Sequence, residues 1–113
     1  MNKVEQILKI LSDKNRLRIY KMLEAKRCCV CEIAYVLQIK QPSVSQHLKK
    51  MKDAGLIMSE QEGLWTNYYL TPTSQPYEKI LLSVLSEWLG SDEIIQKDIE
   101  QIKSVDREMI PKE

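Results

Sequence analysis

All three cysteines of the chain, Cys28, Cys29 and Cys31, fall within four consecutive positions. Adjacent cysteines cannot easily reach the geometry of an unstrained disulfide, so they do not form a covalent framework. Thiolates are soft ligands that select thiophilic ions over magnesium or calcium. The single histidine, His47, lies 16 positions beyond Cys31, which leaves no Cys₄ or Cys₂His₂ set for a closed tetrahedral zinc site within one chain. Three sulfurs without a nitrogen partner suit a three-coordinate ion such as As(III) or Sb(III). Other uses of the same thiols stay open: response to Cd, Pb or Zn, a redox or reactive-sulfur switch, or small residues filling a core.

A second group of chemistry-bearing side chains is Gln41, Ser43, Ser45, Gln46, Lys49 and Lys50, with His47 beside them. On one face of a helix, such residues suit a DNA major groove. Amides read adenine edges, while hydroxyls and lysines hold phosphates. An ordinary solvated helix face would look similar, so charge and context decide. The net charge of +1 conceals an asymmetry: residues 1–55 carry 12 Lys+Arg against 5 Asp+Glu, and residues 56–113 carry 5 against 11. The first half is built to face a polyanion.

Enzymatic chemistry finds little support. There is one histidine and no Gly-rich phosphate loop, paired acids or nucleophile motif. A Cys31–His47 nucleophile would place its base on the helix better explained by DNA. A metal scavenger without DNA affinity is a further alternative. No apolar run approaches the ~20 residues of a membrane span, and the opening MNKVEQILKI is amphipathic, unlike a signal peptide. The expected location is the cytoplasm, with no membrane partner.

These residues must be positioned by helices and one hairpin. Val4, Ile7, Leu8 and Leu11 form a first helical stripe. Ser12 or Asp13 caps a second helix carrying Leu17, Ile19, Tyr20 and Leu23. A short third helix runs from about Cys29 to Leu37 and buries Ile33, Ala34 and Leu37. Gln41-Pro42-Ser43 opens a fourth, which ends at Ala54 with Gly55 as its stop. Leu56 to Leu70 reads as a β-hairpin centred on Glu62-Gly63. Thr71-Pro72-Thr73 and Pro76 break the pattern. A long helix follows with Tyr77, Leu81, Val84, Leu85 and Trp88 as its stripe. After Gly90-Ser91-Asp92, a charged last helix carries Ile95, Ile99 and Ile102. The expected division is a domain over residues 1–90 and a solvated C-terminal helix or tail over 91–113.

The stretch Leu11-Ser12-Asp13-Lys14-Asn15-Arg16-Leu17-Arg18-Ile19 resembles the opening of the arsenical-resistance repressor (ArsR/SmtB) family. Gln41-Pro42-Ser43-Val44-Ser45-Gln46-His47-Leu48-Lys49 is similar to that family's recognition helix, and Gly63 to Leu70 to its wing. The likeness covers roughly residues 4–89. It implies a mainly α fold with a small β-hairpin, a winged helix-turn-helix in the order α-α-α-α-β-β-α-α. It also implies a homodimer paired through the first and fifth helices, which represses from an inverted-repeat operator in double-stranded DNA until an inducer binds. Cys28-Cys29-Val30-Cys31-Glu32-Ile33 resembles the arsenic-responsive branch, which makes Cys29 and Cys31 inducer ligands. Where that branch often has a third ligand, this chain has Ala34, and Cys28 is the candidate for the third bond.

Two departures stand out. Gln38 occupies a corner where the family usually has Gly, a costly choice if φ is positive. Gln46 replaces a frequent Arg and removes a possible bidentate guanine contact. On a regular helix Cys29 and Cys31 would point about 200° apart, so one ion binding all three sulfurs is expected to distort the start of the third helix and shift the fourth from the groove.

Overall fold

The computed structural model describes residues 2–72 and 76–111, with side chains over 3–72 and 79–111. Thr73 and the side chain of Tyr77, named above, lie outside the described set. Helices α1 (Asn2–Leu11) and α2 (Lys14–Ala25) are followed by a two-residue strand β1 (Cys28–Cys29). Then come α3 (Val30–Leu37), α4 (Gln41–Asp53), strands β2 (Ile57–Glu62) and β3 (Trp65–Leu70), α5 (Pro76–Leu89), α6 (Glu93–Ser104) and a 3₁₀ turn at Arg107–Met109. The architecture is the expected winged helix-turn-helix, with one addition: β1 pairs antiparallel with β3, giving a three-stranded sheet of order β1-β3-β2.

Local chemistry sets most boundaries. Asp13 caps α2 by accepting from the Arg16 N–H at 3.0 Å, satisfying a donor that the first turn leaves unpaired. Asp92 does the same for α6 through Ile95. Gly55, at φ +80, closes α4, and a Cβ there would approach Lys3 Nζ to 2.8 Å. The wing turns through Gly63 and Leu64, one position later than expected, with Gly63 at φ +59.

The core gathers Ile7, Leu11, Ile19, Met22, Ile33, Val44, Leu48, Met51, Ile57 and Ile102. Two expectations are corrected here. Ile7 and Leu11, on the stripe of the first helix through which the dimer was expected to pair, are 0% and 5% exposed within one chain, because the inward face of α1 packs on the chain's own core. Of the same apolar stripe, Val4 and Leu8 remain outside it. The second correction concerns α6, which is docked and not solvated. Ile95 and Ile102 are buried, and Arg18 clasps the buried Asp98 through bonds of 2.7 and 2.9 Å. The many charges of α6 suggested a free helix, but its Ile95-Ile99-Ile102 stripe governs the packing.

Helix α5 shows the opposite behaviour. None of its described side chains is fully buried in the chain, and Ile80 and Trp88 are 65% and 75% exposed. Among the described residues no helix is long and apolar enough to cross a membrane.

Candidate DNA interface and thiol site

Helix α4 is amphipathic in the way a recognition helix requires. Val44, Leu48 and Met51, at spacings of four and three, face the core, while Ser43, Ser45, Gln46, Lys49 and Lys50 stand exposed and Gln41 is half-exposed. Lys49 pairs with Asp53 at 3.0 Å on the surface. Such exposed pairs are weak enough to yield to a phosphate. Helix α3 ends on Gln38 at φ 58, ψ 44, so the corner does demand the left-handed conformation and Gln supplies it at a cost that Gly would avoid.

His47 is placed differently from its neighbours. It is half-buried, and Arg16 Nη1 lies 3.3 Å from its Nδ1. Since a guanidinium only donates, Nδ1 accepts and the proton of the neutral ring sits on Nε2. Burial and the Arg16 and Lys50 charges outweigh Asp13 and hold its pKa below the usual value. Arg16 also donates to Ile10 O at 2.6 Å. His47 therefore fixes α4 against the α1–α2 corner.

The wing is acidic at Glu60 and Glu62, yet each carboxylate is answered. Arg27 meets Glu60 at 2.7 Å and stacks 4.1 Å over the Tyr69 ring. Arg107 from the C-terminal turn pairs with Glu62, donates to Asn67 at 2.8 Å and lies 4.3 Å over Trp65. Lys52 Nζ reaches Ser59 at 2.7 Å, joining the end of α4 to the wing.

The cysteines divide sharply. Successive residues of a strand point to opposite faces, so β1 sends Cys28 and Cys29 apart. Cys28, fully buried, turns its Sγ to Lys26 O at 3.3 Å and Met22 O at 3.9 Å. Burial, then the Glu32 carboxylate, pushes its pKa up to about 12. Cys29 faces the other way and precedes the helix, serving as the N-cap of α3. Its Sγ stands 2.9 Å from that of Cys31, beyond the ~2.05 Å of a disulfide bond. Its pKa is also raised to about 12, chiefly by burial and then by the hydrogen bond with Cys31. Glu32 braces this turn by accepting from the Cys29 N–H at 2.9 Å and from Lys26 Nζ at 2.9 Å.

The expected 200° divergence is thus corrected. It assumed that both residues were helical, whereas the extended backbone of Cys29 swings its sulfur toward Cys31. The structure brings Cys29 and Cys31 together and sets Cys28 in the core. Among the described residues no group of three His, Cys, Asp or Glu side chains is assembled to hold a metal ion. Sequence reasoning missed Arg16, Arg27 and Arg107, whose partners His47, Glu60 and Glu62 lie 31, 33 and 45 positions away.

A helix-turn-helix with an exposed polar recognition helix, flanked by a hairpin wing, defines a DNA-binding regulator and not an enzyme. The family described as "Bacterial regulatory protein, arsR family" matches residues 13–59. The chain is 33% identical over 91 residues to the "Arsenic resistance transcriptional regulator ArsR1" of Pseudomonas putida, covering 76% of this chain and 71% of that protein. It is 38% identical over 71 residues to the "Arsenical resistance operon repressor" of Bacillus subtilis, covering 62% and 68%. The solved structure of HlyU from Vibrio cholerae superimposes with a TM-score of 0.68 at 27% identity, over 80% of this chain and 95% of that one. The chain belongs to the ArsR family of bacterial regulatory proteins.

Proposed function

We propose that this regulator is a cytoplasmic homodimeric repressor that leaves its operator when As(III) or Sb(III) binds the Cys29–Cys31 pair. The observation that carries this reading is the 2.9 Å approach of two sulfurs at the start of the helix-turn-helix unit. Cys29 and Cys31 each pass a thiol proton to a hydroxyl of arsenite, two S–As bonds form, and two waters leave. Soft sulfur favours these ions over hard ones. Cys28 completes the set as the third ligand. Its sulfur can join only if β1 leaves the β3 register at Cys28–Tyr68 and Cys29–Asn67, and that movement drags the N-terminus of α3 and disturbs the wing together.

On the DNA, Gln41, Ser43, Ser45, Gln46, Lys49 and Lys50 meet an inverted-repeat duplex, with His47 holding the helix in place. Near-complete release requires the inducer to favour the DNA-free form by about 5 kcal/mol, a scale that sulfur bonds supply and a loosely held oxyanion does not. The dimer forms on the exposed apolar faces of α1 and α5, where Val4, Leu8, Ile80, Val84 and Trp88 lie outside the chain's buried core. A two-fold axis buries each patch against its copy.

Fluorescence anisotropy on DNA from upstream of the chain's own gene tests the reading, at fixed salt because phosphate-driven binding is salt-dependent. Arsenite or antimonite is expected to release the DNA at near-stoichiometric levels, and Cys29→Ser or Cys31→Ser to abolish that release. Cys28→Ser is expected to keep two-sulfur capture and lose most of the release. Release by peroxide alone would overturn the inducer, and release unchanged in the Cys29 and Cys31 variants would overturn the site.

A further inference from the structure

The wing that would approach the DNA carries carboxylates, which a phosphate backbone repels, and the C-terminal turn supplies the charge that masks one of them. Arg107 pairs with Glu62 near the wing turn, donates to Asn67 at 2.8 Å and covers the Trp65 ring at 4.3 Å. Asn67, to which the guanidinium donates, is the β3 partner of Cys29. The placement follows from sheet register. Asn67 is paired with Cys29 on one side and Glu60 on the other, while Trp65 is paired with Glu62. Paired residues share a sheet face, so Cys29, Asn67, Trp65 and Glu62 all lie on the face that Arg107 covers. The turn bearing Arg107 is held there by α6, whose Ile102 is fully buried and whose Asp98 is clasped by Arg18.

We infer that Arg107 is a positioning residue that couples the sulfur pair to the wing by neutralising Glu62 only while the pair is empty. An ion seated on Cys29 and Cys31, and the loss of β1–β3 register that goes with it, free Asn67 from its Cys29 partner and shift the β3 residue that holds the guanidinium over the sheet. Glu62 is then left uncompensated beside the phosphates. The inference rests on the thiol-site reading above, and it assigns to the C-terminal turn a role in transmission. It gives the wing a signal of its own, alongside displacement of α4.

The test measures DNA affinity with and without arsenite, and arsenite stoichiometry by calorimetry, for the wild type, Arg107→Ala, Glu62→Gln and the double variant. Arg107→Ala is expected to weaken arsenite-free DNA binding about 5-fold, the scale of one charge contact near the surface. Glu62→Gln in the same chain is expected to restore that affinity, because no carboxylate remains to be masked. Arg107→Ala should still take up arsenite at the wild-type stoichiometry. Its ratio of DNA affinities without and with arsenite should fall several-fold below the wild-type ratio, which for allosteric coupling is typically ~5–150. A purely structural role would lower affinity without changing that ratio and would not be relieved by Glu62→Gln. An unchanged ratio in Arg107→Ala, or no recovery in the double variant, overturns the inference. If Cys29→Ser with Cys31→Ser still responds to arsenite, the thiol-site reading fails instead, and the Arg107–Glu62 cycle without arsenite still decides whether the wing charge is masked.

Discussion

The clasp between Arg18 and Asp98 makes an asymmetric demand on the two partners. The Asp98 side chain is 3% exposed and that of Arg18 is 19% exposed. Arg18→Ala leaves a carboxylate sealed between α2 and α6 with no counter-ion, and breaking a buried pair in this way costs about 3–5 kcal/mol. Asp98→Ala leaves a guanidinium that can turn its free edge to water, so the loss is closer to the ~1.5–3 kcal/mol of a charge-assisted hydrogen bond. Arg18→Ala is therefore expected to be the more destabilising, by about 1.5–2 kcal/mol, or roughly 10–30-fold in the unfolding constant. Urea denaturation at one fixed protein concentration reads both, since the stability of any self-associating chain depends on concentration; equal slopes confirm that the midpoints report stability. Amide exchange in α6 should rise in both variants. The reasoning is refuted if Asp98→Ala costs as much as Arg18→Ala, or if both cost under ~1 kcal/mol as exposed pairs do.

Two further expectations concern the helix-turn-helix itself. The pKa of His47 lies below its ordinary 6.5 in the folded chain, so the neutral ring is the form that favours folding. That contribution is complete above pH 6.5 and is lost as pH falls toward and through the lowered folded value. Thermal melts between pH 5 and 8 should show this loss, and His47→Gln should flatten it. At the corner, Gln38→Gly relieves a left-handed residue and should raise stability by about 0.5–1 kcal/mol in the same urea assay; a fall would show that the Gln side chain makes a compensating contact.

Much of the fold was legible because its signals are local. Asp13, Gln41-Pro42, Gly55 and Gly63 each mark a helix end or turn through the chemistry of one or two residues, and Val44-Leu48-Met51 declares which face of α4 is buried. The site was harder to read. A two-residue strand has no periodicity, so nothing near Cys28 announces that β3, some forty positions later, will pair with it. Without that strand Cys29 reads as helical, and the two sulfurs that in fact meet are expected to diverge. The docking of α6 was half-visible in Ile95, Ile99 and Ile102. Its charges suggested solvent because Arg18, the partner of Asp98, lies 80 positions earlier. Arg107 carried no signal at all, since its role depends on sheet register and not on spacing.

The split of the Cys28-Cys29 dipeptide across β1 has a practical corollary. Cys28 and Cys29 are both sealed from solvent while Cys31 is half-buried, so a small alkylating reagent meets two separate clocks. Modification at Cys31 times the local state of the sulfur pair. Modification at Cys28 must wait for the protein to open, with its rate set by the free energy of that opening. The chain thus carries a native unfolding gauge three residues away from Cys31, and mass spectrometry of a single labelled peptide would read both.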